Sequence, residues 1–330
     1  MTILTIDWSP ITTGQPEGRS SVLRQLRSSL EACGFVRIVN HGLSEDFVNN
    51  LFELNDAFFH LAAEEKLRIA NVPGPNPQRG WSQVGAENSA SLYRQGLLQQ
   101  SLDEKLSDAR EHWDQGSAND LDFPNRWPGQ KLIPEFRPTM ENAFEQLEKV
   151  CHSIMSALEE AYQLPQGVFC KRMTHEKNAS EFRFNHYPSI EIEKLRAGKI
   201  GRIWPHYDLG VITLLFQDQV GGLEIEDRPS GDFVPVETRS KSDLIVNVSE
   251  ILTRWTNGRL PAGLHKVSLP PSLQNLEHGV VPERYSIAYF GKADRDASVG
   301  PLKEFVTGDK PRFEDMTAIQ YHRQRLSSAY

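Results

Sequence analysis

The stretch HYDLGVITLLFQ (206–217) sets a histidine and an aspartate two residues apart, directly before an almost wholly apolar run from Val211 to Gln217. A run this short and this apolar reads as a β-strand inside a sheet. Residues i and i+2 of an extended segment point the same way, so His206 and Asp208 would face that interior together. Burying both is expensive unless they pair with each other or hold a metal. Spacing alone does not choose, because ten histidines and 44 acids in 330 residues give roughly 1.3 His-x-acid pairs by chance. The second such pair, His112-Trp113-Asp114, sits in the polar stretch DAREHWDQG (108–116). No strand signal precedes it and no apolar run follows, so it is expected to be a solvated loop histidine with Trp113 tucked underneath.

Working outward from 206–217, short period-two segments recur at 181–187, 222–226, 232–236, 243–248, 263–268 and 283–290, separated by turn-rich loops. The chain before them is different. Val22, Leu23, Leu26 and Leu30 lie at helical spacing until Gly34. Phe35–Val39 reads as a strand, and a helix opening at Ser44 is expected to run past Phe58 toward Lys66. Residues 72–130 read as surface loop, with weak periodicity only at 91–106. A long amphipathic helix is expected from about Pro134 to Tyr162, with Phe136, Met140, Phe144, Leu147, Cys151, Ile154 and Leu158 on one stripe. Residues 313–326 could form a closing helix. Strands following a helical half point to a mainly β protein with helical flanks and a sandwich or jelly-roll core.

At roughly 150 residues per domain, 330 residues suggest two domains. A single unit with a helical flank is the more economical reading: 1–175 as mixed N-terminal region, 176–295 as the core, and 296–330 as a closing segment. The formal net charge of −8, from 36 basic and 44 acidic side chains, argues against a nucleic-acid or anionic-membrane partner. Cys33, Cys151 and Cys170 are too few and too scattered for a disulfide framework, so a reducing, cytoplasmic setting is expected. No window approaches the roughly 18 consecutive apolar residues of a membrane span.

Three further groups carry chemistry. His265, in GLHKV (263–267), would complete two histidines and one carboxylate on one face of a metal, leaving the opposite positions open. Zinc accepts the same donors, so the set does not choose the ion; alone, His265 reads equally as a core histidine. Arg284 and Ser286 share a face of the strand ERYSIAYF (283–290). If that face is interior, Arg284 needs a carboxylate, either from a neighbouring strand or from a ligand. Arg183, Asn185 and Tyr187 form a row of guanidinium, amide and phenol suited to a polar organic ligand, or else the polar outer face of an edge strand. Trp204 shares the parity of His206 and either shapes a pocket or caps the core.

Taken in order, these segments resemble the Fe(II)/2-oxoglutarate-dependent dioxygenases, in the subgroup related to isopenicillin N synthase. GFVRIVNHG (34–42), RGW (79–81), GAE (85–87), FPNRWP (123–128), NHYP (185–188), HYD (206–208), the run from Gln217 to Leu223, VNVSEIL (246–252), TNG (256–258), His265 and RYS (284–286) follow the family's order at compatible spacing. NHYP departs from the family's Asn-Tyr-Tyr-Pro by carrying His186. The resemblance implies a double-stranded β-helix around one iron, with His206, Asp208 and His265 as its ligands. It further implies Arg284, Ser286, Tyr187 and Asn185 on 2-oxoglutarate, O₂ as the second co-substrate, and Arg183 bordering a small-molecule substrate of anionic or phenolic character. The implied activity is oxidation of an unactivated C–H bond by hydroxylation, desaturation or ring rearrangement, in natural-product tailoring. A relative that dispenses with 2-oxoglutarate, or a zinc hydrolase built on the same ligands, are the alternatives. His112 and Asp114 fall outside the family's iron motif, and oligomeric state has no signal.

Overall fold

The computed structural model describes residues 3–74, 76–87, 89, 106–177, 179–308 and 310–326. Two sheets face each other. The larger has eight strands in the order Thr5–Asp7, Phe35–Val39, Leu244–Val248, Ile212–Gln217, Arg284–Gly291, Glu181–Tyr187, Glu111–Gly116 and Gly80–Ser82. The smaller has four, Asp232–Pro235, Leu223–Asp227, His265–Val267 and Ile203–His206. This is the double-stranded β-helix expected from the sequence. The strand of the opening stretch, Ile212–Gln217, lies between Leu244–Val248 and Arg284–Gly291, antiparallel to both. That central place explains its apolar run.

The helices back the larger sheet. Arg19–Cys33 ends as its sequence requires: Gly34 takes φ 77°, and its N–H closes on the Leu30 carbonyl at 3.0 Å. Phe136–Ala161 buries the predicted stripe from Phe136 to Leu158, and Phe144 meets Tyr289 of the sheet edge-on at 5.3 Å. The closing helix is Ala318–Leu326. No helix among the described residues is long and apolar enough to cross a membrane.

Two expectations fail. The helix from Ser44 stops at Phe59, and Ala63–Leu67 is a separate short helix. More consequentially, 72–130 is not all surface loop: it supplies Gly80–Ser82, Ser107–Asp108 and Glu111–Gly116, and every residue of the last is buried. His112 is therefore a buried strand residue, 1% exposed, rather than a solvated one. A strand reading EHWDQG can be buried because its polar groups find partners remote in sequence. Glu111 takes Lys66 and His186, His112 bonds Gln78, and Asp114 takes Arg183. The weak period at 91–106 lies, Leu106 apart, outside the described residues.

Candidate active site

His206 ends one strand of the smaller sheet and His265 begins its neighbour, and the register sets them directly opposite, with ring centroids 4.3 Å apart. Each imidazole Nδ1 meets a carbonyl oxygen, His206 that of Trp204 at 2.9 Å and His265 that of Gly263 at 3.1 Å. A carbonyl only accepts, so both Nδ1 atoms carry a proton, and Nε2 is the nitrogen through which each neutral ring would bind a metal. Asp208, in the turn after His206, places Oδ1 at 3.7 Å from His206 Nε2 and 4.0 Å from His265 Nε2. Its other oxygen, Oδ2, accepts from Thr213 Oγ1 at 2.6 Å and Asn247 Nδ2 at 2.8 Å. Thr213 and Asn247 are themselves cross-strand partners in the larger sheet. One carboxylate oxygen is thus held by the sheet while the other converges with two imidazole nitrogens.

Protonation agrees with that geometry. Burial, and then the facing His265, push His206 down to about 4. Burial would raise Asp208, but the two histidines, Thr213 and Asn247 outweigh it and hold the carboxyl below its ordinary range. A neutral imidazole and an ionised carboxylate are the forms a divalent cation binds. Two nitrogens and one oxygen on a single face suit a facial-triad iron centre. One other compact His/acid group occurs among the described residues, Asp56, His60 and Glu283, and all three are exposed.

The adjoining strand pair supplies the second feature. Arg284 pairs in register with Tyr187, and Ser286 with Asn185. Arg284 is 1% exposed and stands 4.7 Å from the Tyr187 ring centroid. Its Nη2 donates to the Gln217 side-chain oxygen at 2.9 Å, while Nε and Nη1 have no partner among the described residues. The neighbouring-strand carboxylate that would have explained this arginine without a ligand is not there; an amide is. A buried guanidinium with two idle donors is costly and fits a carboxylate brought by a ligand. Ser286 Oγ accepts from Asn185 Nδ2 at 3.2 Å, which leaves the hydroxyl proton available to the same ligand.

Arg183 lines the cavity that contains His206 and Asp208, but it is not free. Its Nε donates to Asp114 at 2.7 Å, Nη1 to Glu87 at 3.1 Å and Nη2 to Gln78 at 2.8 Å. Burial alone would weaken its charge, and Asp114 and Glu87 keep it fully protonated. Glu87 also accepts from Arg110, and these two arginines hold its carboxyl well below the ordinary range although desolvation would raise it. The wall facing the triad therefore carries buried charges of both signs. His322, from the closing helix, lines the same cavity. Trp204 turns elsewhere: its indole donates to the Ser107 carbonyl at 3.1 Å and lines a separate cavity with Arg202 and Lys266.

Sequence reasoning missed Thr213, Asn247, Gln217, Glu87, Arg110 and Arg202. Thr213 lies within the quoted strand and Asn247 within VNVSEIL, so both were in view without a signal of role. Glu87 stands in the quoted GAE (85–87) and Arg110 in DAREHWDQG (108–116), again without a signal of role, and Arg202 has no local pattern at all.

Comparison with known proteins agrees on the class. Residues 3–130 match the family model described as non-haem dioxygenase in morphine synthesis N-terminal, and residues 179–293 match the 2OG-Fe(II) oxygenase superfamily. The chain is 47% identical to the 2-oxoglutarate-dependent dioxygenase ucsF of Acremonium sp over 100% of both chains. It is 38% identical to the proline hydroxylase buaE of Petromyces alliaceus, again over 100% of both. Among solved structures, a full-length Neurospora crassa protein crystallised in complex with alpha-KG superimposes with a TM-score of 0.84 at 26% identity, covering 98% of this chain and 95% of that one.

Proposed function

The chain belongs to the 2-oxoglutarate–Fe(II) oxygenase superfamily, and from that premise we propose that it oxidises an unactivated C–H bond of a free amino acid. It is an Fe(II)- and 2-oxoglutarate-dependent dioxygenase acting on a small molecule, with His206, Asp208 and His265 as its facial triad. The iron, when bound, couples O₂ reduction and decarboxylation of the keto acid to succinate with oxidation of the substrate. The chain's own residues hold and orient the participants. Arg284 and Ser286 grip the far carboxylate of 2-oxoglutarate, Tyr187 supports the guanidinium through its ring face, and Asn185 fixes the Ser286 oxygen.

The observation that carries the substrate reading is the wall in which Glu87 lies between Arg110 and Arg183. A simple anion at Arg183 must compete with Asp114 and Glu87, both already bonded to it. A zwitterion offers each sign its opposite and leaves no buried charge unmatched. The similarity to a proline hydroxylase points the same way. The chain acts as one catalytic unit, since strands from 1–175 and from the core share the larger sheet. We place it in the cytoplasm, in natural-product tailoring, without a nucleic-acid partner.

The test is succinate release and product mass across free amino acids, each compared with its N-acetyl and its methyl ester. Turnover of a free amino acid that is lost on blocking either end is the expected result. Preferential turnover of an uncharged or purely anionic compound overturns the substrate reading.

A further inference from the structure

Two guanidiniums share the ring of Tyr187. Arg284 lies 4.7 Å from its centroid and Arg202 lies 5.9 Å from it. Arg202 is 0% exposed; its Nη2 donates to the Pro282 carbonyl, and its Nε and Nη1 have no partner among the described residues. Asp218, whose field reaches Arg202, has both oxygens bonded to backbone amides, those of Val220 and Tyr285. Burial, and then the neighbouring Arg284, lower the Arg202 pKa to about 10, which still leaves it charged at neutral pH. Two buried like charges thus flank the Tyr187 ring and together carry four idle donor nitrogens, with a glutamine amide and a proline carbonyl as their hydrogen-bond partners among the described residues. A fold does not gain stability from that arrangement by itself. It gains when an anion arrives.

We propose that Arg202, which lines the adjoining cavity beside Trp204, is a positioning residue for the keto acid, backing Arg284 and Tyr187 so that the site selects a dicarboxylic over a monocarboxylic keto acid. The proposal rests on the reading of Arg284 as the grip on 2-oxoglutarate. Arg202 acts there through its charge and through the Tyr187 ring, and the cation–π contacts on that ring tie the two arginines together.

The experiment uses the full chain loaded anaerobically with Mn(II), titrated calorimetrically with 2-oxoglutarate and with 2-oxobutyrate, alongside thermal melts without keto acid. Arg202→Gln is expected to weaken 2-oxoglutarate by about tenfold, the order of one extra charge in a partly screened interior. It should change 2-oxobutyrate binding less than about twofold, since that ligand lacks the far carboxylate. The ligand-free melting temperature should hold or rise, because an unpaired buried charge has been removed. Arg202→Lys, which keeps the charge, should stay within about threefold of wild type and serves if the glutamine variant does not fold. A fall in ligand-free melting temperature with unchanged 2-oxoglutarate affinity makes Arg202 a structural residue and overturns the proposal. Equal weakening of both keto acids overturns it too, as does a lysine variant as weak as the glutamine one. If the wild-type protein binds Mn(II) but not 2-oxoglutarate, the co-substrate reading itself falls, which is a different result from any of these.

Discussion

Removing the two hydrogen bonds that hold Asp208 Oδ2 should weaken the metal rather than the keto acid. Thr213 Oγ1 reaches that oxygen at 2.6 Å and Asn247 Nδ2 at 2.8 Å, both from the buried centre of the larger sheet. Each is a bond to a charged acceptor, worth about 1.5–3 kcal/mol, and losing a partner behind a metal ligand commonly costs about 10–100-fold in affinity. Thr213→Val is nearly isosteric, so it removes the donor with little change in packing. Thr213→Val or Asn247→Ala alone should therefore raise the Fe(II) dissociation constant by about tenfold. The double variant leaves Oδ2 bare in a buried site and free to rotate, and should lose about a hundredfold. The same two bonds help to hold the Asp208 carboxyl below its ordinary range. Without them the carboxyl titrates higher, so metal binding should fail at a higher pH as the solution is acidified. Competitive titration of Fe(II) under anaerobic conditions measures the constant directly, and 2-oxoglutarate affinity at saturating metal provides the control. A double variant that binds Fe(II) within about twofold of wild type would refute the reasoning.

Other changes have separable signatures. Arg284→Leu removes the buried guanidinium proposed to meet the far carboxylate of 2-oxoglutarate; at about 3–5 kcal/mol the KM for 2-oxoglutarate should rise at least a hundredfold, with iron content unchanged. A KM close to wild type contradicts the assignment. His112→Ala breaks a buried bond to Gln78 of 2.7 Å, so it should cost about 1–3 kcal/mol of stability while Fe(II) binding persists; an unchanged melting temperature would show that the strand is not packed as described. Burial, and then Lys292, push His322 down to about 3 from an ordinary 6.5. The unfolded chain therefore takes up a proton below 6.5 that the folded chain refuses until about 3. Stability falls through that window as pH drops, and His322→Gln should flatten the melting temperature between about pH 7 and 4; a slope equal to wild type would contradict the lowered affinity of this imidazole for its proton.

The readability of this chain follows from where its partners lie. His206 and Asp208 stood out because a histidine and an acid before an apolar strand have few inexpensive fates, but it was the resemblance of the ordered segments to the 2-oxoglutarate-dependent dioxygenases that joined them to His265 and Arg284. The register then completes the site, since His265 faces His206, Thr213 faces Asn247 and Arg284 faces Tyr187. None of those pairings is local in sequence. The strand Glu111–Gly116 was illegible for the same reason in reverse: its polar residues imply solvent until Lys66, His186, Gln78 and Arg183 are seen to satisfy them. Arg183 shows the cost of reading one strand alone, because the residue expected to meet an anionic substrate already holds Asp114 and Glu87. Arg202 carried no pattern, and only its burial with two donor nitrogens unbonded among the described residues marks it.

The most direct test of the central claim, one iron held by three side chains with 2-oxoglutarate beside it, is an anaerobic titration. Fe(II) and then 2-oxoglutarate are added to the wild-type protein and to Asp208→Ala, and the visible charge-transfer band of the iron–keto acid complex is followed. The account predicts a band that saturates at one equivalent of each in the wild type, requires both, and is absent in Asp208→Ala. A band of equal strength in Asp208→Ala, or none in the wild type, would contradict it.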